Sequence, residues 1–385
     1  MYERVGSYFY FFPTYKQGKK ILWNGMDKDG FKFTDHIPPN LRKRTANDEM
    51  LIETDNGSIF QVIGTDNIDS IVGSNPVGVV FSEYSLQDPR AWKYIRPILA
   101  ENGGWAIFNY TPRGKNHGYT LFKLAEESDQ WFAQKLTVDD THAISPEMLE
   151  QERQEIIKED GNDALFMQEY YCSFDVPIKG SYYGTQLLIA EREGRIGNVP
   201  HETELPVHTI WDLGVGDSTS IWFVQISGRE VRLIDFYQNN GEGLNHYAKV
   251  LQDRKYVYGT HIAPHDIKVR ELGSGKSRLE TAQGLGINFT VAPNLPIDDG
   301  ISAARQLLAR CWFDEKKTEE GLSALRSYRK DWDDKNGVYR ISPVHDWASH
   351  PADSFRYLAV SIDKISNDYT LDTPDWAEEK PSWSG

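Results

Sequence analysis

Two hydrophobic rhythms run along the chain. In the first half, short runs that are apolar throughout alternate with stretches of helical spacing. Ser7–Phe12 is a β-rich run closed by Pro13, and Thr14–Trp23 reads as a helix with Thr14 at its N-cap. Glu49–Glu53 and Ser58–Thr65 read as strands around the turn Asp55-Asn56-Gly57. Pro76–Phe81 is continuously apolar and ends in Ser82-Glu83, while Gly104–Tyr110 reads as a second buried strand, broken by Thr111-Pro112-Arg113-Gly114. Pro89–Leu99 is helical between them. Strands without polar alternation belong in a buried parallel sheet, so the economical expectation is a parallel α/β domain. Ser145–Asn162 is a charged helix, and Phe174–His208, rich in Gly, Pro and Tyr, reads as an irregular junction.

From Val207 the rhythm changes. Val207–Asp212 is an apolar strand, and Ser218–Ser227 with Glu230–Gln238 forms a hairpin across Gly228-Arg229. Leu244–Lys255 is an amphipathic helix, and Gly259–Pro264 and Asn288–Ala292 are further strands. Asp298–Trp312, Glu319–Lys330 and Ser349–Asp363 have helical spacing. The expected layout is three strands, helix, strand, helix, strand, then helices. In such a layout the first and fourth strands commonly lie side by side and parallel.

Composition narrows the function classes. Lys+Arg is 42 against Asp+Glu 57 over 385 residues, a net charge of -15. A coat of phosphate-binding residues is thereby excluded, and nucleic-acid contact would have to be local. Two cysteines, Cys172 and Cys311, make neither a disulfide framework nor a thiolate zinc site. No run reaches the length of a membrane span and no signal pattern opens the chain, so a cytosolic protein without membrane contact is expected.

The chemistry gathers in the second half. Asp212 ends an apolar strand, Asp266 ends the fourth strand in Ala263-Pro264-His265-Asp266, and Asp353 opens the last helix in His350-Pro351-Ala352-Asp353. Each alone reads as a turn former or cap. Together, at the C-terminal ends of neighbouring strands and on a covering helix, they form a converging carboxylate set that needs protons or a cation. Hard oxygen donors select Mg²⁺ or Mn²⁺, and a pair of such ions can activate water and stabilise the leaving oxygen of a phosphodiester. His350 shares the helix face of Asp353 and is placed to orient it or to act on the phosphate. Asp217 and Asp235 are further candidates, with loop capping and a solvent-facing position as their plainer readings. Lys268, Arg270, Lys276 and Arg278 make the following loop basic, fit either to track a phosphate backbone or simply to be solvated.

These residues resemble a family. Asp212-Leu213-Gly214, Ala263-Pro264-His265-Asp266-Ile267 and the stretch His345–Tyr357 resemble the nuclease domain of tailed-phage terminase large subunits. The resemblance implies an RNase H-like α/β nuclease domain, with metal-ligand roles for Asp212, Asp266 and Asp353. In the first half, Pro13–Gln17 resembles the stretch after that family's phosphate-binding loop, and Val77–Tyr84 resembles its Walker B strand. This implies a P-loop-type ATPase α/β domain with Glu83 as the water-activating carboxylate. Thr111-Pro112-Arg113-Gly114 is similar to the coupling motif, and Thr111 takes that role. A G-x-x-x-x-G-K-[ST] loop before Ser7 is missing; Gly273–Ser277 is a lookalike with Arg270 where glycine is required. Ser82 stands where the family's strand usually has the Mg²⁺-orienting Asp.

The expectation is therefore an ATPase-like domain over 1–175 lacking the Walker A segment, a junction over 176–206, a nuclease domain over 207–367 and a flexible tail over 368–385. The resemblance implies a metal-dependent endonuclease acting on double-stranded viral DNA in the host bacterial cytoplasm. ATP would serve the motor if it is completed upstream. Implied partners are the portal protein and the terminase small subunit, with a homo-oligomeric ring on the portal. Two other readings stay open: a resolvase- or transposase-type nuclease, and a non-motor prophage remnant or assembly protein docking on portal or small subunit.

Overall fold

The computed structural model describes residues 1, 3–66, 71–160, 162–214, 218–269, 277–333 and 338–367. The chain divides into two compact units, Met1–Gly184 with Arg326–Trp347, and Thr185–Leu325 with the segment from Ala348. Both are mixed α/β units.

The first unit is built on a six-stranded sheet of β1 (Ser7–Phe12), β2 (Arg42–Ala46), β3 (Leu51–Thr54), β4 (Ile59–Gly64), β5 (Pro76–Ser82) and β6 (Trp105–Asn109), in the order β2-β3-β4-β1-β5-β6. β1 is central, paired in parallel with β4 and β5, and is apolar on both faces because each face packs in a core. Phe9 and Phe11 pack with Val79, Phe81, Ile95 and Leu99, whereas Phe12 joins Trp23, Met50, Ile52 and Val62. The sheet is mixed rather than parallel throughout, since β2–β3 and β3–β4 are antiparallel. The buried reading of Gly104–Tyr110 also fails. Among the described residues β6 pairs only with β5, and Trp105 and Ile107 stay 46% and 53% exposed. The Trp105 indole lies across Gly78, where a Cβ would come within 2.5 Å of the ring.

The helices of this unit are α1 (Tyr15–Gly18), α2 (Arg90–Asn102), α3 (His117–Glu126), α4 (Val138–Thr141), α5 (Pro146–Asp160) and α6 (Ala164–Tyr171). The helix expected over Thr14–Trp23 is a single α turn followed by a π turn, Lys19–Trp23, with Thr14 capping as expected.

The second unit opens with α7 (Gly184–Arg192) and β7 (Ile196–Gly197), so the junction expected to be irregular holds a helix and a short strand. There follow β8 (Val207–Asp212), β9 (Ser218–Ser227), β10 (Glu230–Asn240), α8 (Leu244–Arg254), β11 (Tyr258–Ala263), α9 (Arg278–Gly284) and β12 (Phe289–Val291). The unit continues with α10 (Ile297–Leu308), β13 (Cys311–Asp314), α11 (Glu319–Ser327) and α12 (Ser349–Ser361). The sheet order is β12-β11-β8-β9-β10-β13-β7. β8, β9 and β10 run antiparallel, and β11 lies parallel beside β8 with Thr209 opposite His261, as the layout predicts. The helix expected to reach Trp312 stops at Leu308, because Cys311–Phe313 instead pairs in parallel with Val231–Leu233. One sheet face packs on α8 through Trp211 and Tyr247, with ring centroids 6.0 Å apart. The other carries α12, whose Phe355 meets Trp222 and Phe313.

The remaining piece of the first unit holds an antiparallel hairpin, β14 (Lys330–Asp333) with β15 (Val338–Pro343), which the sequence reading assigned to no element.

Candidate active site

β8 is buried from Val207 to Trp211 and emerges at Asp212. Strand alternation sends Trp211 toward α8 and Asp212 toward α12. There the Asp212 Oδ2 lies 2.8 Å from His350 Nδ1, with both side chains largely covered. Asp266 sits in the 3₁₀ turn His265–Lys268 that follows β11, and it is exposed. Asp353 lies one turn beyond His350, and its Oδ1 accepts from Arg356 Nε at 3.0 Å and Nη2 at 2.8 Å.

The register of α12 is fixed by buried polar groups of β9. Ser220 Oγ donates to the His350 carbonyl at 2.9 Å and lies 2.9 Å from Ser354 Oγ. Trp222 Nε1 donates to the Pro351 carbonyl at 2.9 Å. Carbonyls at the start of a helix are thus tied to the sheet, and His350 is held over the end of β8.

The electrostatics show which carboxylates feel one another's charge. Burial pushes the Asp212 carboxyl up; the His350 hydrogen bond opposes this, and the charges of Asp353 and Asp266 add to it. Tyr357 is pushed up by burial and then by Asp212, Asp353 and Asp266, with Arg356 opposing. Asp212, Asp266 and Asp353 therefore share one electrostatic neighbourhood, bordered by Tyr357 and Arg356. The sequence reading gave neither residue a role. Their i+3 and i+4 spacing from Asp353 was the available signal.

Three carboxylates and an imidazole are a donor set suited to a hard divalent cation, which would relieve the mutual repulsion. Among the described residues no three His, Cys, Asp or Glu already stand arranged around one ion position. In this structure Arg356 supplies counter-charge to Asp353, and His350 Nδ1 lies within hydrogen-bond distance of Asp212.

The other candidates fall elsewhere. Asp235 is neither solvent-facing nor in the cluster. Its neighbour Phe236 packs on Trp222 on the α12 side, so Asp235 faces α8, where Arg254 Nε binds it at 2.7 Å. Asp217, Arg270 and Lys276 lie outside the described residues, as does most of the Gly273–Ser277 lookalike. Lys268 is exposed two residues after Asp266, and Arg278 Nη1 reaches the Leu213 carbonyl at 3.4 Å, beside Asp212.

In the first unit Glu83 follows β5 with φ +57, a left-handed conformation that costs a side-chain-bearing residue free energy. Burial pushes its carboxyl up, Arg113 opposes, and Glu169 adds to the rise. Arg113 is itself ion-paired with Glu169. Ser85 Oγ donates to the Thr111 carbonyl at 2.7 Å, and Asn116 Nδ2 donates to the Ser85 carbonyl at 2.7 Å. The end of β5 and the loop that begins at Thr111 are thus stitched together. Ser82 is buried, and its carbonyl accepts from Gln87 Nε2 at 2.7 Å. No helix among the described residues is long and apolar enough to cross a membrane.

What fold and site define is a protein of two mixed α/β units, one with an acidic cluster at the C-terminal ends of adjacent parallel strands. Its likeness is read from sequence: the chain is similar to a phage terminase large subunit. It is 23% identical over 334 residues to the terminase large subunit of Escherichia phage T5, covering 81% of this chain and 72% of that protein. No protein-family model matches it. Among solved structures, the large terminase of a thermophilic bacteriophage in complex with ADP is 16% identical, covering 94% of this chain and 87% of that one, with a TM-score of 0.38. The large terminase nuclease domain of bacteriophage SPP1 with bound Mn is 16% identical, covering 44% of this chain and 96% of that one, with a TM-score of 0.34. Likenesses this loose carry no argument about function.

Proposed function

We propose that the chain is a DNA-packaging terminase subunit whose second unit is a divalent-metal-dependent endonuclease acting on viral DNA. The observation that carries this is the placement of Asp212 at the end of β8, Asp266 just after β11 and Asp353 on α12, near enough that the Asp353 and Asp266 charges add to the rise that burial gives the Asp212 carboxyl. Asp212, Asp266 and Asp353 would hold Mg²⁺ or Mn²⁺, two ions being the arrangement suited to phosphodiester hydrolysis. Bound there, the metal supplies activated water and charge stabilisation. The chain's own groups do the rest: His350 orients Asp212, and Lys268 and Arg278 offer positive charge to a phosphate backbone at the rim. The strand order β10-β9-β8-β11-β12, with the first three antiparallel and the last two parallel to β8, supports the RNase H-like reading of this unit.

For the first unit the proposed role is that of an ATPase core, with Glu83 activating water and the loop from Thr111 relaying the state of the site. The hydrogen bonds joining Ser85, Thr111 and Asn116 support that coupling. Double-stranded viral DNA, a portal protein and a terminase small subunit are the proposed partners, in the host cytoplasm.

Plasmid DNA incubated with the purified chain tests the nuclease reading. Cutting is expected with Mn²⁺ or Mg²⁺ and not with EDTA, and Asp266→Asn and Asp353→Asn are expected to abolish it while circular dichroism is unchanged. Cutting at the wild-type rate by both variants would remove the site assignment.

A further inference from the structure

The acidic cluster contains one cationic side chain whose placement the carboxylates alone do not explain. Arg356 is 7% exposed, in α12, three residues after Asp353. A buried guanidinium is costly unless its charge and its donors are matched. Its match is one-sided in a telling way. Nε and Nη2 both donate to the same oxygen of Asp353, Oδ1, at 3.0 and 2.8 Å. The usual fork-to-fork pairing of arginine with a carboxylate uses both oxygens. Here Oδ2 takes no part in the grip.

The fold makes room for this arrangement. α10 passes Arg356 at Gly300, and a Cβ there would lie 3.2 Å from Nη1 and 3.4 Å from Cδ of Arg356. Only a residue without a side chain leaves the guanidinium undisturbed. The group also lies 5.7 Å from the centroid of the Tyr357 ring. Helix backbone, glycine slot and ring together hold the arginine at one angle to Asp353.

We propose that Arg356 is a positioning residue for the metal centre: by pinning Oδ1 it fixes the Asp353 carboxylate with Oδ2 left to coordinate, and its charge offsets part of the repulsion among the carboxylates. This rests on the metal-dependent nuclease reading given above. Partners that hydrogen-bond a ligating carboxylate set ligand orientation, and their loss typically weakens metal binding about ten- to a hundredfold.

The test is Mn²⁺ binding to the full chain, read from the loss of the free Mn²⁺ electron paramagnetic resonance signal, beside plasmid cutting across a Mn²⁺ titration. Arg356→Gln is expected to bind Mn²⁺ about ten- to a hundredfold more weakly and to need correspondingly more Mn²⁺ for cutting, with its rate largely restored at saturation. Arg356→Lys keeps the charge but not the two-donor grip, and falls between. Gly300→Ala crowds the guanidinium without altering any ionisable group and shifts affinity in the same direction. Wild-type affinity in Arg356→Gln would overturn the proposal. Should that variant not fold, wild-type affinity in both Arg356→Lys and Gly300→Ala overturns it instead. If the wild-type chain itself neither binds Mn²⁺ saturably nor cuts DNA, it is the nuclease reading that fails.

Discussion

His261 makes the strand pair beneath the acidic cluster sensitive to acid. It lies in β11, 8% exposed, with Thr209 of β8 at its side. Trp211 Nε1 can only donate, and it gives its hydrogen to Thr209 Oγ1 at 2.6 Å. Thr209 Oγ1 keeps its hydrogen and a second lone pair, and it also lies 2.6 Å from His261 Nδ1, so the imidazole has a partner in this buried site. Burial first, and His208 second, carry the His261 pKa down from 6.5 to about 4. A lowered folded value means that the unfolded chain takes up the proton first as pH falls. The stabilisation is full above about pH 6.5 and is lost progressively toward pH 4. At about 1.4 kcal/mol per tenfold change in proton affinity, it amounts to roughly 3 kcal/mol in all, of which about 2 kcal/mol is gone by pH 5. Urea unfolding followed by tryptophan fluorescence at pH 7.5 and pH 5 measures this. The wild type is expected to lose about 2 kcal/mol more than His261→Gln between the two. His117, buried in the first unit and also lowered to about 4, titrates in both proteins and cancels in the difference. Equal losses in wild type and variant would refute the argument that burial holds His261 neutral.

Two further substitutions probe the packing and the strain described above. Gly321 of α11 faces the Trp222 ring, and a Cβ there would come within 2.6 Å of it and 2.9 Å of Phe236. Gly321→Ala should destabilise by about 1–3 kcal/mol through overpacking, seen as a lower thermal midpoint; an unchanged midpoint would show that the contact yields freely. Glu83→Gly removes a left-handed side-chain-bearing residue and should raise the midpoint by the equivalent of about 1 kcal/mol. A fall would show that the contacts of the carboxylate outweigh the strain.

How far the sequence could be read follows from what each feature depends on. β1, β5 and β8 are apolar on successive positions because they are buried on both faces, and that pattern is local. The parallel neighbours β8 and β11 followed from element order, and with them the placement of Asp212 and Asp266 at the same end of adjacent strands. An apolar run does not say how many partners a strand has, so β6 read as buried although its outer face, with Trp105 and Ile107, is bare. β2 was missed for the opposite reason: Arg42-Lys43-Arg44-Thr45-Ala46 has no apolar face, and its pairing with β3 is what makes it a strand. Cys311–Phe313 continued a helical pattern until pairing with β10 overrode it. Among the site candidates, the fate of Asp235 turned on Arg254, nineteen residues away, and on the side of the sheet that each one faces. Arg356 and Tyr357 were within reach on helical spacing alone. What spacing could not supply was the angle at which Arg356 meets Asp353.

The order in which the cluster is assembled follows from the path of the chain. After Leu325 the polypeptide leaves the second unit, contributes Arg326–Trp347 to the first, and returns at Ala348 to form α12. Asp212 and Asp266 lie on one side of that excursion, and His350 and Asp353 on the other. At a synthesis rate of about 5–20 residues per second, Asp353 leaves the ribosome roughly 7–30 seconds after Asp212. A nascent or truncated chain that has folded the sheet but not yet received α12 has two carboxylates, no Ser220–His350 clasp and no Arg356. Under the proposed function the excursion delays completion of the cluster until the last segment of the first unit has been made, so unfinished products would lack the full carboxylate set.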